Sequence, residues 1–446
     1  MLISFILYLY VFFVSWTNAF ALGPWFPIHV VLLLTAVGLY LPVIIAGRRF
    51  SRSIYPFEDI FIYIGIIAVM ISGILHPNEK TVNYLMAYFY IFGVGYFALK
   101  LLLYHKTSVK RLLAVNTIGV LFVAGFVVFE VLLERFIGFD VQAYIPRTEV
   151  SSATYNAIVR RAYGFATEPT ILAYYFNTLG PLALWQLWKF KSVSNLTKCF
   201  LSAVVVLGWL CTFSAAGVGF MIISILVVLV IKLQDATTTR RKVFFEKNLR
   251  RNINSRWLIP VSAPQLSGRA AGKNKPAWRV LVIFIVILFI IFYSVGHFKF
   301  IKETIKPLVM KVALQDASGR GRVNRWSYAI GNIFDSPFFG KGIGCLSSVD
   351  MGSSANWYLF LTLESGIIAI IPFTLFLMFS LLRILKSKIT QKYWFLVGFL
   401  AGVFHFTVIS TIQHPFLWLL LAIFHVATGK ERNVHIRSTP PIIIHG

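Results

Sequence analysis

The chain has 446 residues, 58% of them hydrophobic and 13% charged, with a mean hydropathy of +0.77 and a formal charge of +26. A soluble domain carries about 25% charged residues, so a soluble globular fold is excluded and a polytopic membrane protein is expected. The basic residues fall in short clusters between apolar runs, the pattern of membrane-protein loops and not of a nucleic-acid-binding face.

In chain order, the N-terminal MLISFILYLYVFFVSW lacks a basic start and a small-residue cleavage site and reads as a retained first helix. Apolar runs at 2–21, 28–46, 58–75, 82–99, 112–133 and 170–187 are each long enough to cross a hydrocarbon core of about 30 Å. The run 199–231 has 33 residues, roughly 50 Å as one helix, which is too long for a single crossing. An outside turn at 214–217 therefore splits it into two passes. Runs at 280–296, 357–380, 393–410 and 415–428 follow. The expectation is an all-α integral membrane protein, one domain over 1–446, with about twelve transmembrane helices and both termini cytoplasmic.

Of the 42 Lys and Arg residues, 29 fall in segments this topology makes cytoplasmic: 48–52, 100–111, 189–198, 232–279, 383–392 and 430–437. Segment 232–279 reads as a solvated basic loop attracted to anionic membrane lipids. The large outside loop between the ninth and tenth spans, 297–356, breaks the trend, with eight basic residues between 299 and 341. Such a cluster suggests a site for an anion. Cys199, Cys211 and Cys345 show neither CxxC nor Cys/His spacing, so no disulfide framework, metal site or cofactor is expected.

Before the sixth span, RRAYGFATEP places Arg160, Arg161 and Glu168 at the outer surface, with Pro169 suited to a helix's first position. A helix N-terminus there favours a phosphate, although Arg161 and Glu168 could simply pair with each other. In the large loop, Gly319, Arg320, Gly321 and Arg322 allow backbone and guanidinium donors to approach an anion closely. Arg325 and Trp326 follow, and Trp326, Ala329, Ile330 and Ile333 have helical spacing over 324–334, as in a helix lying on the membrane surface. Pro337, Gly340, Gly342 and Gly344 end it. The run FFGKGIG lacks the spacing of a nucleotide loop. Glu364 is an intramembrane carboxylate and so a functional candidate, with a loop arginine as the alternative partner. His414 lies at the outside turn before the last span, as either a base or a structural group.

The ordered set of RxxGF, Glu168-Pro169 opening a span, a two-pass segment with Ser at its outer turn, GRxxxW, PxxGxG and NxYLxxxxExG resembles the O-antigen ligase and O-antigen polymerase superfamily from Arg160 to Gly366. The resemblance implies a metal-independent glycosyltransferase of the bacterial inner membrane. Its donor would be an undecaprenyl-pyrophosphate-linked glycan, and a chain-length regulator is an expected partner. By position, Arg161, Arg322 and Asn356 match motif residues of that superfamily. Two departures disfavour a ligase: Ala355 stands where ligases carry a histidine, and Ala215, Ala216 and Gly217 follow Ser214 where ligases carry an arginine.

The expected activity is polymerisation of lipid-linked repeat units at the periplasmic face, with ligation as the alternative and a twelve-span secondary transporter as a third reading. Arg161 and Arg322, with Arg160, Arg320 and Arg325, would stabilise the departing pyrophosphate. Glu168 is the expected base and His414 its competitor, while Trp326, Asn356 and Glu364 would line the substrate path.

Overall fold

The computed structural model describes residues 1–17, 19–23, 26–45, 55–147, 161–256, 317–348, 356–409, 412 and 414–438, with backbone alone at 44–45, 239–256, 317–320, 347–348 and 431–438. It is 77% helical, and no strand occurs among the described residues. Two compact units divide the chain: Met1–Leu226 together with Lys311–Gly446, and Val227–Met310. The described part of the second is helical, 227–256.

The longer helices among the described residues are α1 (Leu2–Phe13), α2 (Ile28–Ile45), α3 (Asp59–Leu75), α4 (Thr81–Lys106), α5 (Val109–Ile137), α6 (Pro169–Lys189), α7 (Asn195–Leu210), α8 (Ala215–Arg256), α9 (Ala317–Ile333), α10 (Trp357–Lys386), α11 (Lys392–His405) and α12 (Phe416–Ser438). A helix stands at each expected apolar run except 280–296, which lies outside the described residues. Among the described residues, four helices are long and apolar enough to cross a membrane: α4, α5, α10 and Ala215–Thr238 of α8.

At the centre is α6, in which every residue from 169 to 183 is buried. Proline is tolerated at its first position because that N–H has no intrahelical partner. Against α6 pack α5, α7, α11 and α12. Small residues allow the close approaches. A Cβ on Gly398 would stand 2.3 Å from the Thr178 carbonyl of α6, and one on Gly208 of α7 would stand 2.8 Å from Ala124 of α5. A second group is built on α10, which packs against α3 and α9. The middle of α4, Phe89–Ala98, is π-helical, a departure that often marks functional positions.

Three local expectations change. The run 199–231 does form two helices, but they separate at 211–214, with Phe213 at φ +43° and the Ser214 hydroxyl accepting the Gly217 N–H at 3.2 Å. The expected basic loop is helical from Lys232 to Arg256, because no glycine or proline interrupts the sequence after Gly219 until Pro260; its remainder, 257–279, lies outside the described residues. The expected Gly-Arg-Gly-Arg loop is likewise helical, since α9 begins at Ala317 and includes Arg320 and Arg322. Each helical glycine costs about 1 kcal/mol, which the packing of Ala329 and Ile333 against Phe360 and Leu363 of α10 offsets. Of the large outer loop, 297–316 and 349–355 lie outside the described residues.

Candidate functional site

The segment 161–168 forms an irregular strap before α6: it turns where the Ala166 N–H donates to the Tyr163 carbonyl at 2.8 Å, and Glu168, immediately before Pro169, is extended at φ −152°, ψ 161°. Arg161 is 5% exposed, and its Nε donates to the Thr212 carbonyl at 3.3 Å while the Ala162 N–H donates to Cys211 at 3.1 Å. The strap thus lies on the α7–α8 turn, fifty residues away in sequence. Gly164, at φ +52°, donates its N–H to Glu130 Oε2 of α5 at 3.0 Å and accepts from Gln142 Nε2 at 3.0 Å. Thr167 pairs with Thr17 at 2.9 Å, and Phe165 stacks on Trp16 at 4.2 Å.

Arg147 ties the strap down. Its guanidinium donates to the carbonyls of Ala166, at 2.7 Å, and Gly164, and to Gln142 Oε1 at 2.6 Å, and lies 4.6 Å above the Tyr163 ring. Burial, with Glu130 adding to it, pushes the Cys211 thiol up to about 11, which places the Glu130 carboxyl within electrostatic reach of the turn. One strap therefore gathers Arg147, Arg161, Glu168 and Glu130, two guanidiniums and two carboxyls at one end of the bundle. Sequence reading found Arg161 and Glu168 and missed the others. Glu130 carried a usable signal, a carboxyl in the last third of an apolar run. Arg160 lies outside the described residues.

The α9 residues occupy a different place. Arg322, Arg325 and Trp326 are partly buried on the helix that packs against α10, and Arg325 Nε returns to the Gly321 carbonyl at 3.0 Å. The Trp326 indole N–H is buried and has no partner among the described residues. The side chain of Arg320 is not among those described. Asn356 caps α10, its side-chain oxygen accepting from the N–H groups of Tyr358 at 3.0 Å and Leu359 at 3.2 Å. That gives it a structural task in addition to the expected contact with substrate. Asn356→Ala is expected to cost about 1 kcal/mol, measurable as a lowered thermal midpoint, whereas Asn356→Asp should retain the cap.

Glu364 is fully buried, and its carboxyl accepts the Gly344 N–H at 2.8 Å. The strap and α9 belong to helix groups that meet along α10 and α11, where the Trp357 N–H donates to Phe406 at 2.7 Å and Phe406 lies 6.1 Å from Tyr174 of α6.

His414 stacks on Phe416, which contacts Tyr174 and Tyr175 in the second turn of α6. Although part of the residue remains exposed, burial of the ring, with His29 adding to it, pushes its pKa down to about 3. A group that weakly basic is a poor proton acceptor near neutrality. The shift also has a stability consequence. Between pH 6.5 and about 3 the unfolded chain binds a proton at His414 that the folded chain refuses, so stability falls as pH falls through that window. His414→Gln should flatten that part of the profile of thermal midpoint against pH; an unchanged slope would contradict the assignment.

At the far end of α10, some 27 residues or about 40 Å along the helix, lies a cluster that sequence reading did not anticipate. Lys100 pairs with Asp59, both buried, and Tyr96 donates to Asp59 at 3.0 Å. Arg383 donates to Glu58 at 2.8 Å, and His425 lies 3.4 Å from Glu58 and 3.3 Å from Tyr96. Four helices are thereby joined, α3, α4, α10 and α12. Among the described residues no group of three His, Cys, Asp or Glu could hold a metal ion. Neither a protein-family model nor a curated protein sequence matches the chain.

Proposed function

We propose that the protein is an integral membrane glycan polymerase that lengthens a lipid-linked oligosaccharide by inverting transfer onto a second lipid-linked repeat unit. The observation that carries this reading is the strap. The arginine of the RxxGF segment and the turn that splits the two-pass run, both parts of the resemblance, are hydrogen-bonded to each other, with Arg161 to Thr212 at 3.3 Å. In the reaction the bond from the anomeric carbon to pyrophosphate breaks while an acceptor hydroxyl attacks. The leaving pyrophosphate takes the bonding electrons and is stabilised by guanidinium groups, and the hydroxyl proton passes to a carboxylate. Arg161, with Arg322 and Arg325 from α9, serves the first need. Glu168, at the strap's end, serves the second. The proposed setting is the periplasmic face of the inner membrane, with Lys- and Arg-rich segments in the cytoplasm.

A second reading, transport, draws support from the break in α10 at Gly366, where φ is +72° and ψ −173°, since interrupted helices commonly line solute sites at mid-membrane depth. Deleting the gene separates the readings. A single repeat unit on the lipid core supports polymerisation, and long undecaprenyl-linked chains point to ligation. An unchanged polysaccharide ladder removes both and leaves transport.

A further inference from the structure

The segment SPFFGKGIG and the break in α10 form one unit. Where α10 breaks at Gly366, the N–H groups of Ile367 and Ile368 lose their helical acceptors and donate instead to Pro337, at 2.9 Å, and Phe338, at 3.4 Å. In return Lys341 and Gly342 donate to the carbonyls of Leu363, at 2.8 Å, and Glu364, at 3.0 Å. The glycines follow from close backbone approaches, between the two segments at Gly340 and Gly366 and against His76, after α3, at Gly342. Added Cβ atoms would stand 2.0 Å from Phe338 O at Gly366, 2.4 Å from Glu364 at Gly340, and 2.1 Å from His76 O at Gly342. Gly366 lies ten residues past Asn356, about 15 Å along the helix, half the depth of a core of about 30 Å. Irregular backbone at that depth requires internal partners, and residues 337–344 supply them. The helix α9 is attached to the same segment, because Lys341 reaches Asn332 at 2.6 Å and Asp335 at 2.7 Å.

We propose that Glu364 is a positioning residue: its carboxyl clasps the end of this re-entrant segment, at Gly344, to the broken helix and so sets where α9 and its arginines stand. The clasp needs an acceptor of the right reach and not a charge, since one carboxyl oxygen takes the Gly344 N–H and the other has no partner among the described residues. Asn78 and Thr81 hold the neighbouring Ile343 carbonyl at 2.7 and 3.3 Å, and Ser72 holds the Glu364 carbonyl at 2.6 Å. The link to α9's arginines rests on the transferase reading above, whereas the clasp stands without it.

Cys345, partly buried beside the clasp, is a native reporter. In membranes carrying Cys199→Ser and Cys211→Ser, maleimide should label Cys345 roughly tenfold faster when Glu364→Ala or Glu364→Asp removes the hydrogen bond. Glu364→Gln, which keeps the reach, should label as the parent does. Equal labelling of the parent and Glu364→Asp would overturn the clasp, as would Glu364→Gln labelling as fast as Glu364→Asp. If labelling rises while the polysaccharide ladder of the same Glu364 variants, made in the otherwise native chain, stays full length, the clasp stands and its link to the arginines fails. Loss of the ladder in Glu364→Gln with protection intact would mean that the carboxyl acts chemically, which overturns the positioning role.

Discussion

Asp59→Ala should destabilise the protein by about 3–5 kcal/mol. Lys100 is fully buried and its ammonium is paired with Asp59, so the variant removes its ion-pair partner and leaves a buried charge facing the Tyr55, Tyr96 and Phe97 rings. Tyr96 loses the acceptor of its hydroxyl in the same step. Replacing both members, Asp59→Leu with Lys100→Met, removes the two desolvation costs together and should recover most of the loss, because a buried pair contributes little net stability beyond a well-packed apolar substitute. Thermal and denaturant unfolding in detergent measure both effects. A loss below about 1 kcal/mol for Asp59→Ala, typical of an exposed pair, would show that the pair is solvated in the protein.

On the proposed transferase reading, Arg161→Ala should lower transfer by 10²- to 10³-fold, the expected effect of removing one preorganised donor, with the surface polysaccharide ladder collapsing to its shortest rungs. Arg161 also holds the strap to the α7–α8 turn through Thr212, so the protein level must be followed alongside. The comparison with Arg147→Ala separates the two tasks. Arg147 spends its donors on the Ala166 and Gly164 carbonyls and Gln142, so its loss should reduce stability and activity together. Arg161→Lys, which keeps the charge but loses the planar fork, should restore folding more fully than activity. A full-length ladder in Arg161→Ala at normal protein level would sink the charge-stabilising role.

How much of this was readable beforehand depended on the range of the interaction. Hydropathy is a local quantity, so the described helices begin within a few residues of their expected apolar runs and 199–231 splits in two, whereas their ends differ more: the first helix stops at Phe13 where the run reached 21, and the last continues to Ser438 where the run stopped at 428. The extension of α9 and of α8 beyond their expected starts and ends arose from continuity, as neither segment meets a residue costly enough to stop a helix. At the site, Arg161 and Glu168 were legible because they stand together beside Pro169, an unambiguous helix start. Glu130 was marked only as a carboxyl within an apolar run, and Arg147 by nothing local, since their links to the strap run largely through backbone atoms of Gly164 and Ala166.

By itself the sequence determined an apolar helical chain with basic segments between its runs, because burial in lipid and the siting of charges act on each stretch independently. It also assigned Gly340, Gly342 and Gly344 to the end of a helix and marked Gly366 as part of a motif. Only the tertiary structure decided their partners. The pairing of 337–344 with α10 joins residues 20 to 30 apart, Asp59 with Lys100 joins residues 41 apart, and Glu58 with Arg383 joins residues 325 apart. Each is a demand that one buried polar group places on another, and no local pattern along the chain records which partner will meet it.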